Sequence, residues 1–194
     1  AVEHLAALLL GGDARAQAVA PHGDAIYTPA PGQTGKDVMW LGTPDAMVTA
    51  MLQAARTGPA DFVADLGAGD GRIAIAAARD FGARALGIEY DPKMAALAAR
   101  NAARAGVGDR VRIVEGDIFK EDFSRASVVT LYLLPELNLQ LRPTILAMAP
   151  GTRVVSYQFT MAEWEPDQLI RGPTWNAYLW IVPATIAGRW RVAD

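Results

Sequence analysis

Short apolar runs alternate with helix-period segments from Phe62 to Phe159, and no other property of the chain restricts its fold as strongly. Phe62 to Leu66, Arg84 to Glu89, Val111 to Glu115, Ser127 to Leu134 and Arg153 to Phe159 have the length and apolar content of buried strands. Ile73 to Phe81 is an Ala-rich helix stopped by Gly82. Asp91-Pro92 caps a helix that runs to Ala105 and stops at Gly106, and a further helix follows Leu134 to about Ala149, where Pro150-Gly151 breaks it. Upstream, Thr43 as N-cap and Pro44 at the first helical position open a helix. Its Met47, Val48, Met51, Leu52 and Ala55 recur at helical spacing before Gly58-Pro59 closes it. Strands separated by helices of this length pair in parallel through right-handed crossovers. Tyr178 to Val182 and Arg189 to Val192 stand only a few residues apart, which predicts an antiparallel hairpin at the end of a mostly parallel sheet.

The chain of 194 residues suits one compact domain, and its net charge of −3 lacks the global basic field of a dedicated nucleic-acid binder. It has no Cys, so disulfides, thiolate metal sites and Cys nucleophiles are excluded. The two His residues, His4 and His22, both precede the patterned body, and no metal site is expected. No apolar run approaches the roughly 18 residues that span a bilayer. Leu5 to Leu10, ahead of Ala14-Arg15-Ala16, has the look of a secretory signal's tail, but Glu3 stands where a basic region belongs. A cytoplasmic location is expected, with export as the alternative if residues 5–16 are such a tail. The Gly- and Pro-rich stretch from Pro21 to Lys36 reads as irregular, dividing the chain into an arm, 1–37, a lid or the remnant of a targeting segment, and a catalytic domain, 38–194.

The first strand runs into Asp65-Leu66-Gly67-Ala68-Gly69-Asp70-Gly71-Arg72. Alternate glycines let backbone approach a ligand closely, and the following helix presents free N–H groups. Arg72 occupies the position where a dinucleotide fingerprint needs glycine, which argues against a nicotinamide-dependent oxidoreductase. An acid before the first glycine repels phosphate and attracts the ammonium of an amino acid. Glu89 ends the second strand, and Asp117 follows the third in Glu115-Gly116-Asp117-Ile118-Phe119, so acids stand at three successive strand ends.

This D-x-G-x-G-x-G pattern resembles motif I of class I S-adenosylmethionine-dependent methyltransferases. The similarity continues through Gly35 to Pro44, Leu131 to Asn138 and Val155 to Phe159 to a group of bacterial methyltransferases related to the mitochondrial adenine-nucleotide-translocase lysine methyltransferases. The resemblance implies a Rossmann-like α/β fold with a seven-stranded sheet of order 3-2-1-4-5-7-6. It implies S-adenosyl-L-methionine as cofactor, S-adenosyl-L-homocysteine as product, and a segment from Trp40 to Pro44 folded over the cofactor, with Gly42 where relatives often carry Pro. The cofactor set is then Trp40, Thr43, Asp65, Gly67, Ala68, Gly69, Asp70, Glu89, Tyr90, Gly116, Asp117, Ile118 and Leu131. Tyr132, Glu136 and Asn138 follow the fourth strand as candidate catalytic residues facing an amine.

The expected activity is N-methylation of a protein lysine, with methylation of a small metabolite or a non-catalytic adenosyl-binding module as alternatives. The expected partner is therefore a protein lysine or small amine, with no nucleic acid. Tyr132-Leu133-Leu134-Pro135 lacks the Asn-Pro-Pro-Tyr signature used for planar amides and adenine amines. Methyl transfer from a sulfonium is an in-line displacement governed by alignment and desolvation, so the absence of His and Cys is no obstacle. The five tryptophans are scattered as for core or rim packing rather than a cation cage. Arg100, Arg104, Arg110 and Arg112, with acids interspersed, read as a solvated face.

Overall fold

The computed structural model describes residues 22–33 and 41–184. Its elements follow one another as α1 (Asp45–Ala54), β1 (Phe62–Leu66), α2 (Arg72–Phe81), β2 (Arg84–Glu89), α3 (Pro92–Arg104), β3 (Val111–Glu115), β4 (Val128–Leu131), α4 (Pro135–Leu146), β5 (Arg153–Tyr157), β6 (Gln168–Ile170) and β7 (Ala177–Ile181). They form one seven-stranded sheet of order β3-β2-β1-β4-β5-β7-β6. The pairs among β1 to β5 are parallel, and β7 runs antiparallel to both β5 and β6. The expected class and strand order are therefore both present.

The antiparallel hairpin differs from its sequence reading. Ala177–Ile181 is a strand, but its outer partner is Gln168–Ile170, upstream of it. Gln168, Leu169 and Ile170 are too short a run to carry a period, and two of the three are exposed. Arg189 to Val192 lies outside the described residues, as do Trp40 and Trp190. The start of α1 also differs: Pro44 is its N-cap, without a side-chain cap, and Asp45 opens the first turn. Thr43 is buried instead, and its carbonyl accepts from Arg72 Nη1 at 2.9 Å. By contrast, Asp91 caps α3 as expected, accepting from the N–H groups of Lys93 and Met94.

Period-2 alternation on the parallel strands sends successive side chains to opposite faces of the sheet. Val63, Val128 and Val155 pack under α1, α2 and α3 together with Met51, Leu52, Ala74 and Ala77. Ala64, Leu66, Val129 and Leu131 pack under α4 with Leu141, Ile145 and the buried Trp180. Small residues on α2 let that helix lie close against the sheet: Ala74, Ala77 and Ala78 are fully buried. The three layers leave the C-terminal ends of the parallel strands open at one edge, where the order reverses between β1 and β4. Ligands of open α/β sheets bind at this switch point. Among the described residues, no helix is long and apolar enough to cross a membrane.

Candidate functional site

A cleft of about 1010 Å³, open to solvent, lies over that switch point. Its floor is the turn from β1 to α2. Gly67, Gly69 and Gly71 have φ of 79°, 55° and 83°, left-handed values that L side chains avoid. They fold the backbone tightly enough for the N–H groups of Gly67 and Ala68 both to reach the Ile88 carbonyl at 2.9 Å. The chain can then enter α2 with its first N–H groups turned toward the cleft.

Three carboxylates stand at the ends of three neighbouring strands. Asp65, 2% exposed, accepts from the Thr130 hydroxyl of β4 at 2.7 Å through Oδ1, while Oδ2 has no hydrogen-bond partner among the described residues. Burial, reinforced by repulsion from Asp70 and Glu89, pushes its carboxyl up to about 7. Glu89 accepts from Gly69 N–H at 2.8 Å with one oxygen and from Asp91 N–H at 2.9 Å with the other. It ties the glycine turn to the start of α3, and burial again raises its pKa. A carboxylate has about four acceptor sites, so two remain for a ligand. Asp117 closes its own turn by accepting from Phe119 N–H at 3.0 Å and lies beside Ile118 in the cleft wall.

The cleft lining contains Thr43, Asp65, Gly67, Ala68, Gly69, Asp70, Glu89, Tyr90, Asp117, Ile118 and Tyr132 from the sequence-derived set. Two others sit behind it. Gly116 donates to the Glu89 carbonyl and links β3 to β2, and Leu131 is fully buried in the core. Glu136 is exposed outside the lining, and Asn138 is fully buried beneath the loop after β5. Gln33, Leu41, Gly42, Arg72, Ile73, Asp91, Met94, Phe119, Leu133 and Leu137 complete the wall. Of these, Asp91 and Phe119 are within reach of sequence reasoning as immediate neighbours of Tyr90 and Ile118.

Arg72 is the informative omission. Its Nε donates to Asp70 Oδ1 at 3.0 Å and its Nη1 to the Thr43 carbonyl. A Cβ at Gly42 would collide with the same guanidinium. The residue that argues against a dinucleotide fold thus holds the 41–43 segment against the glycine turn, and glycine at 42 makes room for it.

The stretch 22–33 has no helix or strand and lies beside α3. Asp24 accepts from Arg100 Nε at 2.6 Å, and this bond, with those from the N–H groups of Tyr27 and Ile26, holds its carboxyl well below the ordinary range; it also pairs with Arg104 at 3.2 Å. Asn101, almost fully buried, donates through Nδ2 to the carbonyls of Asp70 and His22 at 2.8 and 2.9 Å. Arg104 is exposed and Arg100 half-buried, and both also clamp this stretch, whose end, Gln33, reaches the cleft. Trp164 and Trp180 pack together on the α4 side of the sheet, with Trp180 Nε1 donating to the Trp164 carbonyl at 2.7 Å.

Residues 65–168 match the ANTKMT methyltransferase domain. The chain belongs to that family. It is similar to a protein-lysine N-methyltransferase of Saccharolobus islandicus, 39% identical over 75% of this chain and 94% of that protein. It is also similar to the adenine nucleotide translocase lysine N-methyltransferase of Mus musculus, 33% identical over 69% of this chain and 58% of that one, so it spans little more than half of the mammalian protein. A solved structure described as an RNA methyltransferase from Salinibacter ruber in complex with S-adenosyl-L-homocysteine superposes with a TM-score of 0.74. It shows 45% identity over 77% of this chain and 98% of that one.

This family member is an S-adenosylmethionine-dependent methyltransferase. The residues in hand fit that cofactor: an acid with an orphaned buried oxygen suits an ammonium, a carboxylate with two free acceptor sites suits a vicinal diol, and an acid beside an aliphatic side chain suits an aminopurine. S-adenosylmethionine supplies an electrophilic methyl on a sulfonium.

Proposed function

We propose that the protein methylates the ε-amine of a protein lysine, with residues 38–194 as the methyltransferase domain and the preceding residues as an arm over its cofactor. The observation that carries this reading is the chemistry of the cleft. Asp65, Asp70, Glu89, Asp91 and Asp117 line it, with Asp70 paired to Arg72, and the negative charge that is left favours a cationic side chain over a phosphate backbone. The Saccharolobus relative, similar over nearly its whole length, is named for the same activity.

In this reading Glu89 accepts both ribose hydroxyls, Asp117 accepts from the adenine amino group with Ile118 on the ring face, and Asp65 accepts from the ammonium of the methionine part. The backbone of Gly67 to Asp70 passes beneath it. Tyr132, on the β4 side of the cleft, meets the acceptor nitrogen. Its phenol pKa is raised by burial and by Tyr157, so it stays neutral at physiological pH and acts by hydrogen bonding. The lysine must then lose its proton on entering the desolvated cleft, and the rate rises with pH.

Incubating the protein with isotopically labelled S-adenosylmethionine and separate protein and RNA fractions of a lysate tests the assignment. The reading predicts label on lysine, located by mass spectrometry. Label confined to RNA would favour the activity for which the Salinibacter structure is described and would refute the lysine reading.

A further inference from the structure

Beyond the residues that meet cofactor and acceptor, the loop after β5 carries backbone strain. Gln158 has φ of 70°, a left-handed value for a residue with a long side chain. Phe159 N–H donates back to the Tyr157 carbonyl at 2.9 Å, closing a three-residue γ-turn of the rare positive-φ kind. The turn is held from two sides. Gln158 N–H donates to the Asn176 carbonyl at 2.8 Å. Asn138 Nδ2, reaching up from α4, contacts Ser156 Oγ at 3.2 Å and the carbonyls of Thr160 and Phe159 at 3.3 and 3.5 Å. Strain of this kind persists where surrounding structure over-determines it, and it gathers at functional sites.

Its consequence here is the placement of one atom. The turn presents Gln158 Oε1 to the Tyr132 hydroxyl, which donates to it at 3.1 Å. The Tyr132 ring is fixed edge-on to Tyr157, centroids 4.8 Å apart, and stacked on Phe159 at 6.4 Å. A phenol has a single proton. With that proton directed at Gln158, its oxygen can offer only lone pairs to the cleft.

We infer that Gln158 is a positioning residue for acceptor selection: it makes Tyr132 an obligate hydrogen-bond acceptor, so the cleft favours a nucleophile that still bears an N–H. This deepens the lysine reading and rests on it. A neutral primary amine donates one N–H to Tyr132 and aims its lone pair at the methyl carbon. The N–C bond forms as the C–S bond breaks, the electron pair stays on sulfur, and the surplus proton on nitrogen leaves to solvent. Asn138, on this account, acts through the loop and not on substrate.

The test compares Gln158→Gly, Gln158→Glu and Tyr132→Phe with the unaltered protein. Melting temperature, S-adenosylhomocysteine affinity, and kcat and KM on poly-L-lysine are read for each. Glycine relieves the positive φ, so Gln158→Gly is expected to melt at an equal or higher temperature. It should bind S-adenosylhomocysteine unchanged and lose about fivefold to tenfold in kcat, the worth of one neutral hydrogen bond made in the transition state. Gln158→Glu keeps the acceptor oxygen and should restore most of the rate. Combining Gln158→Gly with Tyr132→Phe should cost no more than Tyr132→Phe alone.

A fall in melting temperature or cofactor affinity in Gln158→Gly, or an unchanged kcat, would overturn the inference. Without reference to turnover, the carbon-13 resonance of the Tyr132 ring carbon bearing oxygen should move in Gln158→Gly and return in Gln158→Glu; no movement overturns it as well. Absence of transfer to any protein amine by the unaltered protein, with that resonance behaving as expected, would instead count against the lysine reading.

Discussion

The two sides of the cleft are built differently. On the β1–β3 side, the acids stand at or just beyond the ends of consecutive strands: backbone N–H groups set two of them, Glu89 through Gly69 and Asp91 and Asp117 through Phe119, and the Thr130 hydroxyl of β4 holds Asp65. On the β4–β5 side, the Tyr132 side chain is held by those of Gln158 and Tyr157, and the loop carrying Gln158 is held by the Asn138 amide and the Asn176 carbonyl. A site built largely on backbone groups can bind the same cofactor across many proteins. A site built on side chains can change its acceptor without disturbing that binding.

If the sides are independent in this way, substitutions should separate cleanly. The largest effect is expected from Glu89→Ala, which removes the acceptor proposed for two ribose hydroxyls. S-adenosylhomocysteine affinity should fall by about 1.5 to 3 kcal/mol by calorimetry, the range for charge-assisted hydrogen bonds. An unchanged affinity would remove the ribose assignment. Next, Asn138→Ala strips the loop carbonyls of Phe159 and Thr160 of their donor and should cost about 1 to 2 kcal/mol of stability in urea melts. It should slow turnover while leaving S-adenosylhomocysteine affinity unchanged, and parallel losses would mean the two sides share support.

A smaller effect is expected at the arm. Breaking the Asp24 clamp by Asp24→Asn should free residues 22–33 to proteolysis and exchange, and bound S-adenosylhomocysteine should partly restore protection if the arm closes over it. Protection that is the same with and without ligand would show that the arm is no cover.

The smallest effect concerns pH. Asp65 holds a proton in the folded protein up to about 7, whereas the unfolded chain releases it near 3.8. The native state therefore binds more protons across that interval. The ligand-free protein should lose this contribution as pH rises from about 4 to about 7, and stay level beyond. A bound ammonium favours the ionised acid, so S-adenosylhomocysteine should release a proton on binding at about pH 6 and none at about pH 8.5. Calorimetry in buffers of different ionisation enthalpy reads this directly.

The same contrast explains what the sequence makes legible. The parallel strand order, the glycine turn and the acids at the strand ends follow from period, spacing and chain direction, which are local properties. The strand Gln168–Ile170 has only three residues, so no pattern can announce it, and its existence depends on Ala177–Ile181 lying beside it. Asn138 reads as a polar residue near an acceptor pocket, and only the packing of α4 under the β5 loop shows that its amide points at backbone carbonyls. The clamp made by Arg100 and Arg104 has no sequence signature because Asp24, their partner, is more than 70 positions away. Gln158 lies within the Val155 to Phe159 stretch that carries the resemblance, but its φ and its hydroxyl partner exist only once β4 and β5 are side by side.

The division of labour is tested most directly by measuring S-adenosylhomocysteine affinity and single-turnover methyl transfer to poly-L-lysine, at saturating S-adenosylmethionine, on Glu89→Ala and Tyr132→Phe. The account predicts a crossed pattern: Glu89→Ala loses affinity yet transfers at a near-normal rate once saturated, and Tyr132→Phe binds normally yet transfers about tenfold more slowly, the worth of a transition-state hydrogen bond. Both variants losing affinity and rate together would contradict it.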